Sequence, residues 1–472
     1  MEKHPIINLS DPVLAKIKRS IFLVTLVILQ LGCSTGSNAP AYEYNGKIVC
    51  PPNNTNWYVR PSGGSGSGTS WTAAWNGLNG IDWSAVSCSD TIWVAGGTYD
   101  KALVPNKDCS GNSRLHIRRA RVDAMECVCA DGWKASFDDT INHTASPAIS
   151  FSYGYTNRNI TISGRSTANP GHWAGYGWYL NMKGITGGTA TSFVNGTTDD
   201  VTLEYMEAEG PGVINYTSEG TAINLLQYSG TNTNLFISHW KIHRFSSGIY
   251  MCGVPINPIF EYIDMYDNRA ENASSYHPDG WYSCGINGFT VRYSKLHGVT
   301  DSAGFAHEGI FHGNCGGTTW IYGNQFYDQT DSTAKSIETN PDSYPSCTLK
   351  ILNNTFYNVY NPIWNSHADC LPGSEVRNNI FYNCTGRVDS CGTASNNLRI
   401  TSPNPFVNAN ANDFHIISTT GTKYPRNAGM DLSGYFRTDG DGVPFGGDGA
   451  WDIGAYEYNG PMAYPPNMSG VR

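Results

Sequence analysis

The sequence is poor in charge: only 15% of its 472 residues are Asp, Glu, Lys or Arg. The acids outnumber the bases, 39 to 30, for a net charge of −9, which excludes a broad nucleic-acid-binding face. A membrane-spanning run is also missing. The apolar stretch from Ile21 to Leu31 falls well short of the roughly 20 residues a spanning helix needs. What the chain has instead is turn chemistry. Its 52 Gly and 12% aromatic residues suit an all-β, turn-rich protein. Its length is large for one ordinary domain but not for a solenoid, which grows by adding coils.

Lys16, Lys18 and Arg19 precede the Ile21–Leu31 run, as in an export signal. The run ends in Leu31-Gly32-Cys33, which resembles a bacterial lipoprotein lipobox, with Gln30 where a small or branched residue is usual. The resemblance implies lipidation of Cys33 and a lipid anchor as the only membrane contact. A rival cleavage lies after Ala39-Pro40-Ala41 and implies simple secretion. The expected layout is a signal over 1–33, a tether over 34–57, one solenoid domain over 58–458 and a tail over 459–472. The protein is expected to be exported, at the cell surface or secreted, and to act as a monomer. Removing Cys33 from the 13 cysteines leaves an even number, which fits disulfides in an oxidising compartment.

Internal repeats define the architecture. Ile242, Met265, Leu296, Phe326, Phe356 and Phe381 form one apolar column, with spacings of 23, 31, 30, 30 and 25. Five residues before each stands Ile237, Phe260, Val291, Ile321, Ile351 or Val376. An odd offset puts two positions on opposite faces of a straight strand, so a bend must separate them. Asn324, Asn354 and Asn379 lie in that interval. Asn tolerates left-handed turns, and stacked copies can pair amide to amide. Ile249, Trp281, Ile310, Ile337 and Ile363 form a third column. Three strands per coil predict a three-sheet parallel solenoid. Cys252 and Cys284 then stand as neighbours on adjacent coils, and Cys315 and Cys347 one coil apart. Residues 100–145 break the rhythm and read as a disulfide-pinned insertion with Cys109, Cys127 and Cys129. Its bases Arg114, Arg118, Arg119 and Arg121 read as a solvated face or as an attraction for an acidic polymer.

At the start, Trp71, Ala74, Leu78, Ile81 and Val86 recur at helical spacing between Tyr58-Val59 and the strand Asp90-Thr91-Ile92-Trp93-Val94. A strand, short helix, strand unit is expected to cap the first coil. Those strands, the turn Gly97-Thr98-Tyr99 and the late motif Trp451-Asp452-Ile453-Gly454-Ala455-Tyr456-Glu457-Tyr458 resemble bacterial pectin-lyase-like proteins. The resemblance implies a right-handed parallel β-helix. It leaves the activity open among lyases, hydrolases, epimerases and non-catalytic surface proteins.

The connection from the second column to the third runs 7, 16, 14, 11 and 7 residues along successive coils. Turns that swell over a rigid core usually carry function. These end in His277-Pro278-Asp279, His307-Glu308 and Lys335-Ser336-Ile337-Glu338. Aligned on the third column, Asp279, Glu308 and Lys335 share one position on adjacent coils, about 4.8 Å apart. Two chemistries fit. In β-elimination of an acidic polysaccharide, Lys335 or His307 is the base. Cations, or Ca²⁺ held by Asp279, Glu308 and Glu338, neutralise the uronate. Uronan epimerisation needs nearly the same parts. In glycoside hydrolysis the paired carboxylates come from Asp279, Glu308 and Glu338. His277 accompanies Asp279. Tyr250, Tyr282, Phe311 and Trp364 line up outward of the third column as a surface for sugar rings, or as an inter-coil stack. A further outward column, His243, Tyr266, His297, Tyr327, Tyr357 and Tyr382, reads as structural. The rival from another class is a non-catalytic glycan-binding or adhesive surface protein.

Overall fold

The structure is a computed structural model. It describes residues 55–460 apart from 112, 152–154, 195, 213–219, 227–230, 254, 269–278, 299–307, 314–315, 331, 341–345, 366–371 and 389–391. Of 255, 308, 311, 312, 339, 340, 346, 347 and 365 it describes the backbone alone. Two short antiparallel strands, Glu43–Tyr44 and Lys47–Ile48, stand in a separate N-terminal unit. The export signal, Cys33 and the tail after 460 lie outside the described residues. Among the described residues, no helix is long and apolar enough to cross a membrane.

The main unit is a right-handed parallel β-helix with three sheets. All three apolar columns are in register. In the first, Ile237 pairs with Phe260, then Val291, Ile321, Ile351 and Val376 follow. In the second, Ile242 leads through Met265, Leu296, Phe326 and Phe356 to Phe381. In the third, Ile249 leads through Trp281, Ile310 and Ile337 to Ile363. Every one of these side chains is buried. Each removes about 1.5–3 kcal/mol of apolar surface from water, and coil upon coil this forms one continuous core. We call the three sheets the first, second and third faces.

The bend between the first and second faces is built by two residues in succession. The left-handed position falls on Tyr205, His239, Tyr262, Tyr293, Gly323, Asn353 and Asn378, one residue earlier than expected. Asn324, Asn354 and Asn379 follow it, turn inward and are fully buried. Their amides do pair. Asn324 Nδ2 donates to Asn354 Oδ1, Asn354 Nδ2 to Asn379 Oδ1, and Asn379 Nδ2 to Asn397 Oδ1, each at 3.0 Å. The ladder also satisfies buried backbone groups, which would otherwise be costly.

The N-terminal cap differs from expectation. Trp71, Ala74, Leu78, Ile81 and Val86 are all buried, but the only helical turn among them is Leu78–Gly80. Packing against Trp75, Trp57 and the first coil dictates their burial, so their spacing carries no helical meaning. Residues 100–145 are not simply an insertion. Leu115–Arg119 is a first-face strand between Thr91–Val94 and Thr156–Ser163. Ile141–His143 is a second-face strand between Gly97–Tyr99 and Trp178–Asn181. The basic cluster there faces acids: Arg114 pairs with Asp200, Arg119 with Asp138 and Arg121 with Asp123.

The coils end at Leu398–Ile400. Residues 401–460 form an arm that folds back along the bend. Gly454 N donates to Asn378 O at 2.8 Å, Asn353 Nδ2 to Gly454 O at 3.0 Å, and Gln325 Nε2 to Tyr456 OH at 2.7 Å. Further back, Tyr293 OH reaches Thr438 O at 3.0 Å and Tyr262 OH reaches Gly440 O at 2.8 Å. Most of the Trp451–Tyr458 motif is buried, as are Phe406, Phe414, Ile416 and Leu432 of the same arm.

Cys252 and Cys284 are bridged between adjacent third-face strands, with Cα atoms 4.7 Å apart. Cys88 bridges Cys109, and Cys129 is disulfide-bonded as well. Cys127, expected to pin the insertion, is instead a buried free thiol, as is Cys384. Burial raises both thiol pKa values, that of Cys384 to about 12, so neither is a ready nucleophile. Cys315 and the side chain of Cys347 lie outside the described residues.

Candidate functional site

The third face is an eight-stranded parallel sheet running from Ile149–Ser150 to Asn361–Asn365. Its strands enter through a local bend. Gly280 with Trp281, Gly309 with Ile310, and Ser336 with Ile337 are adjacent pairs that are both buried. Glycine suits the first of each pair because the corner is tight. A Cβ on the equivalent Gly248 would sit 2.7 Å from Met265 Sδ and from the Gly280 carbonyl. Where a residue with a side chain takes the position, Ser336 Oγ donates inward to Gln329 Oε1 at 2.5 Å. The bend lets residues three apart share the outer side. Lys335 and Glu338 form an ion pair there.

The expected row of charged residues is in register. Ser247 pairs with Asp279, Asp279 with Glu308, Glu308 with Lys335 and Lys335 with Asn361. Asp279 is buried. The Lys335–Glu338 pair is largely shielded from water, at 14% and 7% side-chain exposure. Lys335 Nζ also lies 5.3 Å from the Trp364 ring centre, and the Arg387 guanidinium 4.4 Å from it. The charged row thus ends in two cations about one indole. His277 and His307, and the side chains of Glu308, Phe311 and His312, lie outside the described residues.

The aromatic row is in register too: Tyr250, Tyr282, Phe311, Glu338 and Trp364. Tyr250 and Tyr282 stack on each other, 5.2 Å apart and 5° from parallel. Their faces therefore turn along the solenoid axis, and Trp364 meets two cations. This is the geometry of an inter-coil stack rather than of ring faces offered to sugars. The expected calcium set fits poorly as well. Ca²⁺ takes six to eight oxygen ligands, whereas Glu338 is neutralised by Lys335 and Asp279 is buried. Among the described residues, the carboxylates that do converge are Asp448, Asp452 and Glu457 in the arm. Asp452 and Glu457 accept backbone N–H groups that shape the arm itself.

The second face holds a charged region that sequence patterning takes for a solvated ladder. Glu207, Lys241, Asp264 and Lys295 are in register. So are Glu209, His243, Tyr266, His297, Tyr327, Tyr357 and Tyr382. The lower part of this second row is covered, because Tyr327, Tyr357 and Tyr382 pack under Phe406 and Phe414 of the arm. The upper part lies between the arm and a loop over 164–177, which closes through the Arg165–Tyr176 bridge. The face is therefore structural along its covered part only. The loop's Gly-rich text around His172-Trp173 was the one signal available in the sequence.

No family model matches the chain, and no curated protein matches it. Solved structures similar to it include the following three. Pectate lyase Pel9A is 16% identical, covering 86% of this chain and 97% of its own, with a TM-score of 0.38. XylC in complex with xylose is 10% identical, over 72% of this chain and 77% of its own, at 0.35. A GH136 lacto-N-biosidase from Eubacterium ramulus is 13% identical, over 73% and 67%, at 0.29.

Proposed function

We propose that this chain is an exported enzyme that cleaves an acidic polysaccharide by β-elimination on the third face, anchored through Cys33. The observation that supports this reading most is the in-register succession Asp279, Glu308, Lys335, which follows the longer connections in the sequence. Disulfides at Cys88–Cys109 and Cys252–Cys284 favour a site outside the reducing cytosol.

In this reading Lys335, with Arg387 beyond Trp364, supplies positive charge opposite the uronate carboxylate. That charge acidifies the adjacent carbon. His307, which precedes Glu308 in the sequence, takes the proton from that carbon. The electron pair left behind forms a carbon–carbon double bond as the glycosidic carbon–oxygen bond breaks. Glu308 or water returns a proton to the departing oxygen. The product is an unsaturated sugar end that absorbs in the ultraviolet.

The test is a panel of polyuronates with the full chain. Product absorbance is expected on at least one. His307→Ala, Glu308→Gln and Lys335→Gln should each lower turnover by about 10²- to 10⁴-fold, with unchanged circular dichroism. Affinity without product on any polyuronate would instead make the chain a glycan-binding surface protein.

A further inference from the structure

We propose a second glycan-binding site on the second face, where Lys295 receives the carboxylate of a uronic acid residue; this rests on the reading of an acidic glycan given above. The row that leads to Lys295 is paired up to that point. Lys241 Nζ meets Glu207 Oε1 at 3.1 Å, and Asp264 Oδ1 meets His297 Nε2 at 3.0 Å. Beyond Lys295 stands Gln325, in register with it, which the arm engages through Tyr456. Lys295 therefore sits where the open row gives way to the arm.

Its ammonium lacks an acid of its own. Among the described residues, no carboxylate oxygen lies within 4.0 Å of Nζ, whose close neighbour is the Trp173 ring, 4.0 Å away. Asp264, Asp413 and Asp441 act on it from further off. Each is already claimed by a histidine: Asp264 by His297, and Asp413 and Asp441 by the two nitrogens of His415, at 2.5 and 2.7 Å. Burial away from water lowers the Lys295 pKa against the pull of those three acids. A bound anion would offset that cost of desolvation.

A second group in the same region is also without a partner. The Tyr176 hydroxyl is buried, and among the described residues no hydrogen-bond partner meets it. Burial is the chief influence on that phenol, and the next are Asp264 and Glu207, followed by Tyr205 and Tyr266. Tyr176 thus belongs over the same row, with Asp264 common to it and to Lys295. Trp173 and Tyr176 come from the 164–177 loop, which leans on the bend through His172, stacked 4.1 Å from Tyr262. The arm holds that same Tyr262 through Gly440. The two walls meet at Tyr262. Among the described residues Lys295 has no acid of its own and the Tyr176 hydroxyl no hydrogen-bond partner; the one suits a carboxylate and the other a sugar hydroxyl.

The test uses full-length protein carrying Lys335→Gln, so that an acidic oligosaccharide is not consumed, and calorimetric titration with galacturonate, guluronate and neutral xylose oligomers. At least one uronate oligomer should bind, and the neutral one should not. Adding Lys295→Ala should weaken uronate binding by about tenfold to a hundredfold, and Lys295→Arg should retain most of it. Acetylation of Lys295, read by mass spectrometry with and without oligomer, checks the same site without a substitution; protection is expected. Equal affinity with Lys295→Ala, no protection, or no uronate binding at all overturns the proposal. Absence of unsaturated product from the unsubstituted chain overturns the elimination reading instead, so the two failures are separable.

Discussion

The second and third faces are built on the same coils from the same alternation, yet they use charge differently. On the second face, acids and bases alternate along one row, and Glu207 pairs with Lys241 of that row while Asp264 pairs with His297 of the neighbouring row. The arm and the 164–177 loop then close over what remains. On the third face the row changes sign once, from Asp279 and Glu308 to Lys335, and the connections that lead to it swell over those coils. An alternating row has little charge left to act with, except where the alternation stops, as it does at Lys295. A row that changes sign once keeps its acids and its base on different coils. That separation is what a reaction with developing negative charge needs.

Turnover is where the contrast breaks most sharply. The third-face substitutions His307→Ala, Glu308→Gln and Lys335→Gln are expected to act on rate, and Lys295→Ala on affinity. A collapse of rate with Lys295→Ala and none with Glu308→Gln would exchange the roles of the two faces.

The next largest effect is on stability. The Cys252–Cys284 bridge closes a span of 32 residues on the third face. Replacing both cysteines by Ser should cost about 2–4 kcal/mol in denaturant unfolding. The second face, free of disulfides among the described residues, should lose nothing locally, as amide exchange of Met265 and Leu296 can read.

A smaller effect follows at the bend shared by the first and second faces. Asn354 accepts from the backbone N–H and the amide of Asn324, and donates to Ile321 O and Asn379 Oδ1. Asn354→Ala leaves buried groups on both neighbours without partners, at a cost of about 2–3 kcal/mol. Asn397→Ala, at the less buried end of the ladder, should cost less. Equal losses would mean that the amides do not act as a ladder.

The fold was legible because a solenoid repeats one local rule. Three apolar columns and a bend follow from spacing alone, since a one-residue slip would expose every core position. The bend Asn were placed one residue off because inward amide pairing, not backbone conformation, selects them. The cap was misread because burial of Trp71, Leu78 and Val86 is dictated by neighbours distant in sequence. The third-face row was legible by register. The faces of Tyr250 and Tyr282 were not, because alternation says which side a ring lies on but not how it turns. Lys295 escaped notice because its lack of an acid depends on the arm, some 120 to 150 residues further along the chain, whose His415 claims the neighbouring carboxylates.

The arm should loosen as pH rises, and this smallest effect separates it from the coils. His415 is largely shielded, and burial opposes its charge. The hydrogen bonds to Asp413 and Asp441 outweigh that and raise it to about 9. Burial raises Glu457 to about 8 and Asp439 and Asp452 to about 6, in each case against the lowering effect of backbone hydrogen bonds. All four hold a proton more tightly in the folded arm than in an unfolded chain, where His titrates near 6.5 and carboxylates near 4. Each therefore contributes stability that is complete below its unfolded value and is lost as pH rises through its folded one. The losses run from about pH 4 to 9, and those of Glu457 and His415 occupy the upper part. On the second face the sign is opposite. Burial works to raise Glu209, but Tyr179, Lys183 and Arg244 bring it down to about 2, so its contribution is complete at neutral pH and does not change from there to pH 9. Exchange of the Gly454 and Ala455 amides, which dock the arm on Asn378 and Thr355, should accelerate between pH 6 and 9 beyond the intrinsic rate. Exchange of Ile242 and Met265 should follow the intrinsic rate alone. His415→Gln should remove the part of the loss above about pH 8 and leave that of Glu457, which ends near pH 8, in place. An arm whose protection stays level from pH 5 to 9 would mean that these protons are held equally in the open and docked states.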